Sequence, residues 1–351
     1  MELLSPISII IIPASMTSHA PTPPLPRGAD FVRGVERARS RIGADVVRTP
    51  FEYSPALSLA AGAHVRIKWE SLQATGSFKL RGALNRIRSL TAAERRRGAV
   101  SASTGNHGLA VARACRMERV ALDLVLPGNA APLKIARIRA EGVEPRFFGT
   151  SCDRAEVYAR AAAEASGRVF ISPYNDLEIV FGQGTIGPEL LEDSPGLEDV
   201  LVPIGGGGLI AGLAGYLKAR DPRIRIVGVE PSASAFMSAS VAAGRIVDVP
   251  EAPTLADAVA GGIEPGAITF PLCRRLVDHI LLVEERDIRR AVRAFGRVHG
   301  RTVEGAGALP LAALLARPGL FRGRRVALLA SGGNIAPRAW AAICRPGRIR
   351  L

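Results

Sequence analysis

Four consecutive glycines, Gly205, Gly206, Gly207 and Gly208, join a predicted strand to a predicted helix in the stretch VPIGGGGLIAGL. Without side chains, their backbone N–H groups can surround an anion, and the following helix adds the positive end of its dipole. A turn alone does not need four glycines, which lose much conformational entropy on folding. The pattern therefore predicts a phosphate site. It matches neither the dinucleotide fingerprint nor the triphosphate-binding loop.

Lys79 is one of only four lysines in the chain, and it follows a Gly/Ser turn in TGSFKLRGA. It stands where a helix is predicted to begin. The helix dipole and partial desolvation both favour the neutral amine, which is the form that attacks a carbonyl carbon. We interpret the other three lysines, Lys68, Lys134 and Lys218, as surface residues.

Two further polar loops follow predicted strands. Residues 101–108, SASTGNHG, open a helix, so their hydroxyl, amide and N–H groups could converge on a carboxylate. The same side chains could instead be helix caps. Ser331, in ASGGN, follows the last buried strand, at the end of a parallel sheet where ligands bind. Its hydroxyl could bind a ring nitrogen or simply serve a turn.

These four features share one chemistry. A phosphate cradle, an amine that captures an aldehyde, a carboxylate loop and a hydroxyl for a heterocyclic nitrogen are the parts of a pyridoxal 5′-phosphate site. The sequence therefore predicts this cofactor.

An alternation of strands and helices must position these loops. From about Asp30, short apolar runs closed by Gly or Pro alternate with segments of helical period, which is typical of an α/β protein. Four predicted strands and three helices between residues 99 and 171 form a parallel sheet of their own. We expect a small domain, 98–171, inserted into a large cofactor-binding domain made of residues 30–97 and 172–351. The predicted strands are 64–69, 99–102, 120–126, 143–148, 168–171, 199–204, 224–229, 280–283 and 326–330.

Composition excludes several classes of protein. Of the 351 residues, 48% are hydrophobic and 22% charged, as in globular proteins, and no stretch has the length of a membrane span. The formal net charge of +14 comes from arginines in scattered pairs, which we interpret as solvated helix faces rather than a nucleic-acid site. The four cysteines lack metal-binding or redox spacing, which favours a reducing cytoplasm.

Residues 1–29 are expected to be a disordered or mis-annotated leader, and in the second case the true start would be Met16. The apolar run in this segment resembles the centre of a signal peptide. The only charge before it is that of Glu2, so the positive region of a signal peptide is missing.

The chain from about Val32 to Ala342 resembles the threonine/serine dehydratase (ammonia-lyase) and serine racemase family of fold type II pyridoxal-phosphate enzymes. The matching stretches are TGSFKLRGALN, SASTGNHG, SPYNDLEIVFGQGTIG, VPIGGGGLIAG, VGVEPSASA, TLADAV, TFPLCRRLVD, TVEGAGALPLAAL and LASGGN. The resemblance implies a fold like that of the tryptophan synthase β subunit, with two open, twisted, mostly parallel sheets flanked by helices. It also implies a homodimer or homotetramer acting on a small amino acid.

The resemblance implies a role for each matched residue. Lys79 would form the Schiff base with the cofactor, and Thr104 would also take part in catalysis. The residues implied to hold the cofactor, besides Lys79, are Phe78, Asn106, Gly205, Gly206, Gly207, Gly208, Glu304 and Ser331. Those implied to bind the substrate carboxylate are Ser103, Thr104, Asn106 and His107.

Three departures from the family pattern matter. Thr104 replaces the serine that serves as acid and base in the racemase branch, which disfavours racemisation. Some relatives bind a divalent metal through a glutamate and an aspartate. Here Glu230 is retained but Phe236 takes the place of the aspartate, so no metal is expected. The chain ends some twenty residues after Ser331, so we expect no C-terminal regulatory domain.

The predicted reaction is the elimination of the β-hydroxyl of L-threonine or L-serine, which yields a 2-oxo acid and ammonia. Alternatives are a dehydratase for a less common hydroxy amino acid, as in hydroxyectoine breakdown, and a serine racemase. Two others are a cofactor-binding protein without turnover and an arginine-rich nucleic-acid binder.

Overall fold

A computed structural model describes residues 9–11, 25–103, 105–130, 132–150 and 152–344. In these ranges the strands are β1 (Ile9–Ile11), β2 (Phe51–Tyr53), β3 (His64–Lys68), β4 (Ala99–Ala102), β5 (Leu122–Leu126), β6 (Arg146–Phe147), β7 (Val169–Phe170), β8 (Asp199–Pro203), β9 (Arg225–Pro231), β10 (His279–Val283) and β11 (Arg325–Leu329).

The helices in the same ranges are α1 (Gly28–Ile42), α2 (Pro55–Ala61), α3 (Lys79–Arg88), α4 (Ala92–Arg97), α5 (Asn106–Glu118), α6 (Pro132–Ala140), α7 (Cys152–Ser166), α8 (Leu177–Gly184), α9 (Ile186–Asp193), α10 (Gly208–Arg220), α11 (Phe236–Ala243), α12 (Thr269–Leu276), α13 (Glu285–His299), α14 (Gly305–Ala316) and α15 (Pro337–Cys344). A capping box begins α4, because the Thr91 hydroxyl accepts the N–H of Glu94 and the Glu94 carboxylate accepts that of Thr91.

Two sheets organise the chain. The seven-stranded sheet has the order β1-β10-β9-β8-β11-β3-β2, in which only the two edge strands pair antiparallel. The four-stranded sheet, β6-β5-β4-β7, is wholly parallel. The predicted fold class is therefore confirmed. The small sheet lies within residues 98–171, and the division of the chain into two domains stays a prediction.

Helices cover both faces of the large sheet. On one face α10 packs against α1 and α8, and on the other α13 packs against α14. Residues 208–217 of α10 and 305–314 of α14 are buried on every side, as expected for helices that are apolar all round. Both helices begin at a glycine, and a Cβ on the first residue of α14, Gly305, would lie 1.9 Å from the carbonyl oxygen of Leu255.

Three residues of the expected disordered leader have regular structure. Strand β1 pairs antiparallel with β10 at the edge of the large sheet. Residues 1–8 and 12–24 lie outside the described ranges.

Lys68 is not a surface residue, so our interpretation of it was wrong. Its side chain is completely buried, and Nζ lies 2.5 Å from a Glu189 carboxylate oxygen and 2.6 Å from the carbonyl oxygen of Thr49. Polar and apolar residues alternate along β3, which is why Lys68 was expected at the surface. The strand lies inside the sheet with helices nearby, so its end is covered on both faces.

Glu230, the residue matched to a metal ligand, accepts the backbone N–H groups of Met237 and Ser238 at the start of α11, at 2.9 and 2.8 Å. Among the described residues, no group of three or more His, Cys, Asp or Glu side chains is placed to hold a metal ion. Within the same ranges, we find no helix with the length and apolar character needed to span a membrane.

Candidate active site

One cavity of about 320 Å³ lies where the carboxyl ends of β4, β8 and β11 come together. Every predicted site residue in the described part of the chain lines it. These residues are Phe78, Lys79, Ser103, Asn106, His107, Gly205, Gly206, Gly207, Gly208, Glu304 and Ser331. Thr104 lies outside the described residues. Motifs far apart in sequence thus meet at one place, as the ends of parallel strands predict.

Lys79 is the first residue of α3 and projects into this cavity. Its Nζ donates a hydrogen bond of 2.8 Å to the carbonyl oxygen of Pro173 and lies 5.2 Å from the centroid of the Phe78 ring. Desolvation lowers the pKa of the amine to about 8. A substantial fraction is therefore neutral, and hence nucleophilic, near physiological pH.

The glycine loop has no room for side chains. A Cβ on Gly206 would lie 2.3 Å from the Tyr174 ring, and one on Gly205 would lie 3.0 Å from the backbone of Val259. Gly207 has a φ of +84°, in the left-handed region. The helix α10 begins at Gly208, so the loop brings bare backbone and a helix N-terminus to the cavity. This cradle fits a phosphate.

Backbone hydrogen bonds join residues 75–78, the turn before Lys79 (the lysine turn), to residues 331–334 (the SGGN loop). The N–H of Phe78 donates to the carbonyl of Ser331 at 3.1 Å, and that of Gly333 donates to Gly76 at 2.9 Å. Ser77 and Gly332 form an antiparallel bridge between these two bonds. The almost fully buried Ser331 is therefore fixed relative to the residue that precedes Lys79.

Asn106 and Glu304 meet across the cavity. Asn106 Nδ2 donates a 2.6 Å hydrogen bond to Glu304 Oε1. Desolvation raises the pKa of Glu304 to about 7, although the bond from Asn106 opposes the shift. A Cβ on Gly332 would lie 2.2 Å from the same Glu304 oxygen, so the glycine is required for this approach. The carboxyl group can therefore hold or release a proton near neutral pH.

His107 is buried one residue further along α5. Burial, and secondarily the charge of Lys79, lowers its pKa to about 3. The imidazole is therefore neutral at physiological pH. Nε2 lies 3.0 Å from the carbonyl oxygen of Ile171, which can only accept, so this nitrogen carries the proton. Ser103 Oγ accepts the N–H of Gly105 at 3.1 Å and braces the loop before the helix.

Sequence reasoning missed several residues of the cavity. Tyr174 covers the glycine loop, and its hydroxyl accepts the N–H of Glu264 at 2.9 Å. Asn334 contacts Asn106, while Lys134 and Arg137 reach the cavity from α6. Tyr174 and Asn334 stand in stretches that resemble the family, directly after strands, and that position was the available signal. For the two α6 residues we find no such signal.

A match to the family model for pyridoxal-phosphate-dependent enzymes spans residues 42–332. The L-threonine ammonia-lyase of Thermotoga maritima is 40% identical over 301 residues, which cover 86% of this chain and 75% of that protein. Serine racemase of Oryza sativa subsp. indica is 33% identical over 309 residues, covering 87% and 91%. Among solved structures, the processed threonine deaminase isoform 2 of Solanum lycopersicum matches with a TM-score of 0.88 and 29% identity, covering 98% of this chain and 93% of that one. This chain therefore belongs to the family of pyridoxal-phosphate-dependent enzymes.

Proposed function

We propose that this protein is a threonine/serine ammonia-lyase that converts L-threonine or L-serine to a 2-oxo acid and ammonia. One observation carries the proposal: the desolvated amine of Lys79 opens into the same cavity as the glycine cradle and Ser331. A relative named L-threonine ammonia-lyase, 40% identical, supports the choice of substrate.

Four parts of the cavity would hold the cofactor. Lys79 would bind it covalently, the four glycines would bind its phosphate, Asn106 its ring hydroxyl and Ser331 its ring nitrogen. When bound, pyridoxal phosphate supplies an aldehyde that joins amines and a conjugated ring that delocalises negative charge from the substrate Cα. Ser331 offers a hydroxyl and not a carboxylate, so it does not hold a proton on the ring nitrogen. This moderate electron demand favours elimination over transamination.

Lys79 is the proposed base. With a pKa of about 8, its neutral amine can accept the proton from the substrate Cα, and the resulting ammonium can donate a proton to the departing β-hydroxyl. The carbonyl of Pro173 holds Nζ by one hydrogen bond and leaves the other positions of the nitrogen for these transfers.

The start of α5 is the proposed site for the substrate carboxylate. The helix begins at Asn106, so its N-terminal N–H groups and dipole favour an anion there. Ser103 adds a hydroxyl, and neutral His107 fixes the loop through Ile171 without adding charge. Thr104, for which we propose a role in catalysis, follows Ser103 in the sequence.

The test begins with the purified protein and pyridoxal phosphate. We expect visible absorbance that borohydride reduction bleaches, while the reduced cofactor becomes permanently attached to the protein. We also expect 2-oxo acid to form from a panel of L-threonine, L-serine, 3-hydroxyaspartate and related hydroxy amino acids. Lys79→Ala should lose both properties, whereas the control Lys218→Ala, which removes a lysine paired with Asp278, should keep both. A Lys79→Ala protein that still turns over substrate would refute the assignment.

The same panel separates the alternatives. Chiral analysis of L-serine after incubation would reveal D-serine if the protein racemises its substrate. Colour without any product would indicate a cofactor-binding protein without turnover. Faster turnover of an uncommon hydroxy amino acid would indicate the corresponding dehydratase.

We also infer a cytoplasmic protein that assembles as a homodimer or homotetramer. The first inference is supported by Cys115, Cys273 and Cys344, which are free thiols. The second rests on the family resemblance, and light scattering of the purified protein tests it.

A further inference from the structure

The side-chain amide of Asn334 lies at the junction of three parts of the cavity. Its Nδ2 donates to the carbonyl oxygen of Thr75 at 2.8 Å and to Oδ1 of Asn106 at 2.7 Å. Its Oδ1 accepts Nη1 of Arg137 at 2.8 Å. One amide therefore links the lysine turn, the start of α5 and helix α6.

The partners of Asn334 allow only one orientation of this amide. The Thr75 carbonyl can only accept a hydrogen bond, and the Arg137 guanidinium can only donate one. Nδ2 must therefore face Thr75, and Oδ1 must face Arg137. The same Nδ2 then requires an acceptor from Asn106, so the oxygen of Asn106 points to Asn334 and its Nδ2 points to Glu304.

Packing holds Asn334 in place as well. A Cβ on Gly76 would lie 2.4 Å from Asn334 Oδ1, so the lysine turn lies directly against the amide. Asn106 and Arg137 belong to the segment that forms the small sheet, whereas Thr75 and Glu304 belong to the rest of the chain. The amide of Asn334 thus connects the segment of the small sheet to the rest of the chain, close to Lys79.

We propose that Asn334 is a positioning residue that makes Asn106 present its N–H group to the cofactor side of the cavity. Arg137 supports this orientation from the mouth of the cavity. The inference rests on the proposed function, since it assumes that pyridoxal phosphate occupies this site.

The test measures cofactor affinity by titrating apoenzyme with pyridoxal phosphate and recording visible absorbance against pH. Asn334→Asp keeps the shape but cannot donate to Thr75 or Asn106, so we expect the Kd to rise at least about tenfold. The pH dependence of the bound cofactor's absorbance should shift as well, because Asn106 is then free to turn. Arg137→Ala should raise the Kd about threefold, and Arg137→Lys, which retains a donor, should restore most of that loss.

Arg139→Ala is the matched control, because Arg139 lies on the same helix and pairs with Glu144 at the surface. It should bind the cofactor as the wild type does. Thermal unfolding of each apoenzyme shows whether the variants fold. If Asn334→Asp does not fold, the same titration is made with Asn334→Ser and Arg137→Ala.

Wild-type affinity and an unchanged pH dependence in folded Asn334 variants would overturn the inference. Loss of affinity only in proportion to loss of folded protein would also overturn it. Failure of the wild-type protein to bind pyridoxal phosphate would instead refute the proposed function, so the two failures are distinguishable.

Discussion

Two lysines of this protein are shielded from water to different degrees and by different neighbours. Lys68 is completely buried and has both a carboxylate oxygen of Glu189 and the carbonyl of Thr49 within 2.6 Å of Nζ. Lys79 has the carbonyl of Pro173 and the ring of Phe78, and burial lowers its pKa to about 8. Burial beside a counter-charge thus yields a structural lysine, whereas burial beside neutral groups yields a reactive one.

The network around Lys68 explains its structural character. Arg81 binds Glu70 through Nε at 2.9 Å and Nη2 at 2.8 Å, and it binds Glu189 through Nη1 at 2.7 Å. Two cations and two carboxylates therefore form one buried network only two residues along α3 from the reactive lysine. Arg81 ties α3 to its neighbours, while Lys79 on the same helix remains available for chemistry.

Replacing Lys79 should have the largest effect. Lys79→Met should lower turnover by about three orders of magnitude or more, because it removes the proposed base. The apoenzyme should nevertheless become more stable at pH 7 by about 1 to 3 kcal/mol, because the fold disfavours the charged amine. This gain is greatest below pH 8 and disappears as the pH rises towards 10.5, where the unfolded lysine also loses its proton.

Urea unfolding of the two apoproteins at pH 7 and pH 10 measures this change. A Lys79→Met protein that is less stable than the wild type at pH 7 would contradict the view that the fold disfavours the charged form of Lys79.

Breaking the ion network should have the largest effect on stability. Arg81→Met removes the guanidinium that pairs with the fully buried Glu70, so we expect a loss of about 3 to 5 kcal/mol in the free energy of unfolding. Arg33→Met, which breaks an exposed pair with Asp30, should lose far less stability, because solvent screens that pair. Equal losses in the two variants would show that the buried network is not structural.

Replacing Lys68 should have a smaller effect, because Glu189 keeps its bonds to Arg81. We expect Lys68→Met to lose about 1 to 3 kcal/mol of stability while the folded protein retains its cofactor affinity and turnover. The same substitution at positions 68 and 79 should therefore change stability in opposite directions at pH 7. Denaturant unfolding and assays at matched folded fractions measure both. Loss of turnover in folded Lys68→Met would place this lysine in catalysis.

The last prediction concerns the pH dependence of stability that Glu304 causes. The fold raises the pKa of this carboxyl group from 4.5 to about 7, so it favours the protonated form. The stability that this contributes is fully present below pH 4.5 and is lost as the pH rises through 7. Glu304→Gln cannot ionise, so the variant apoenzyme should gain about 1 to 3 kcal/mol relative to the wild type between pH 4.5 and 8. A constant difference across this range would show that Glu304 does not titrate there.

The sequence predicted the two-sheet architecture because strand and helix patterns alternate regularly. It also predicted that distant motifs meet, because the glycine loop, residues 101–108 and Ser331 each follow a strand and parallel strands align their carboxyl ends. Lys79 begins a helix as expected, and the glycine loop joins β8 to α10.

The features that the sequence did not predict depend on packing between distant segments of the chain. The burial of Lys68 results from Glu189, which lies far along the chain, and strand alternation carries no information about such a partner. The place of Tyr174 over the glycines and the orientation of Asn334 are also contacts between segments that local patterns do not encode. The roles of the site residues, Thr104 among them, stay predictions.

The bridge between Ser77 and Gly332 has a consequence for synthesis. A ribosome translates the lysine turn long before it reaches the SGGN loop, so a growing chain carries its reactive amine without the backbone that fixes it. The site is complete only after residue 334 has left the exit tunnel. A chain interrupted between the two segments therefore lacks residues 331–334, which complete the site.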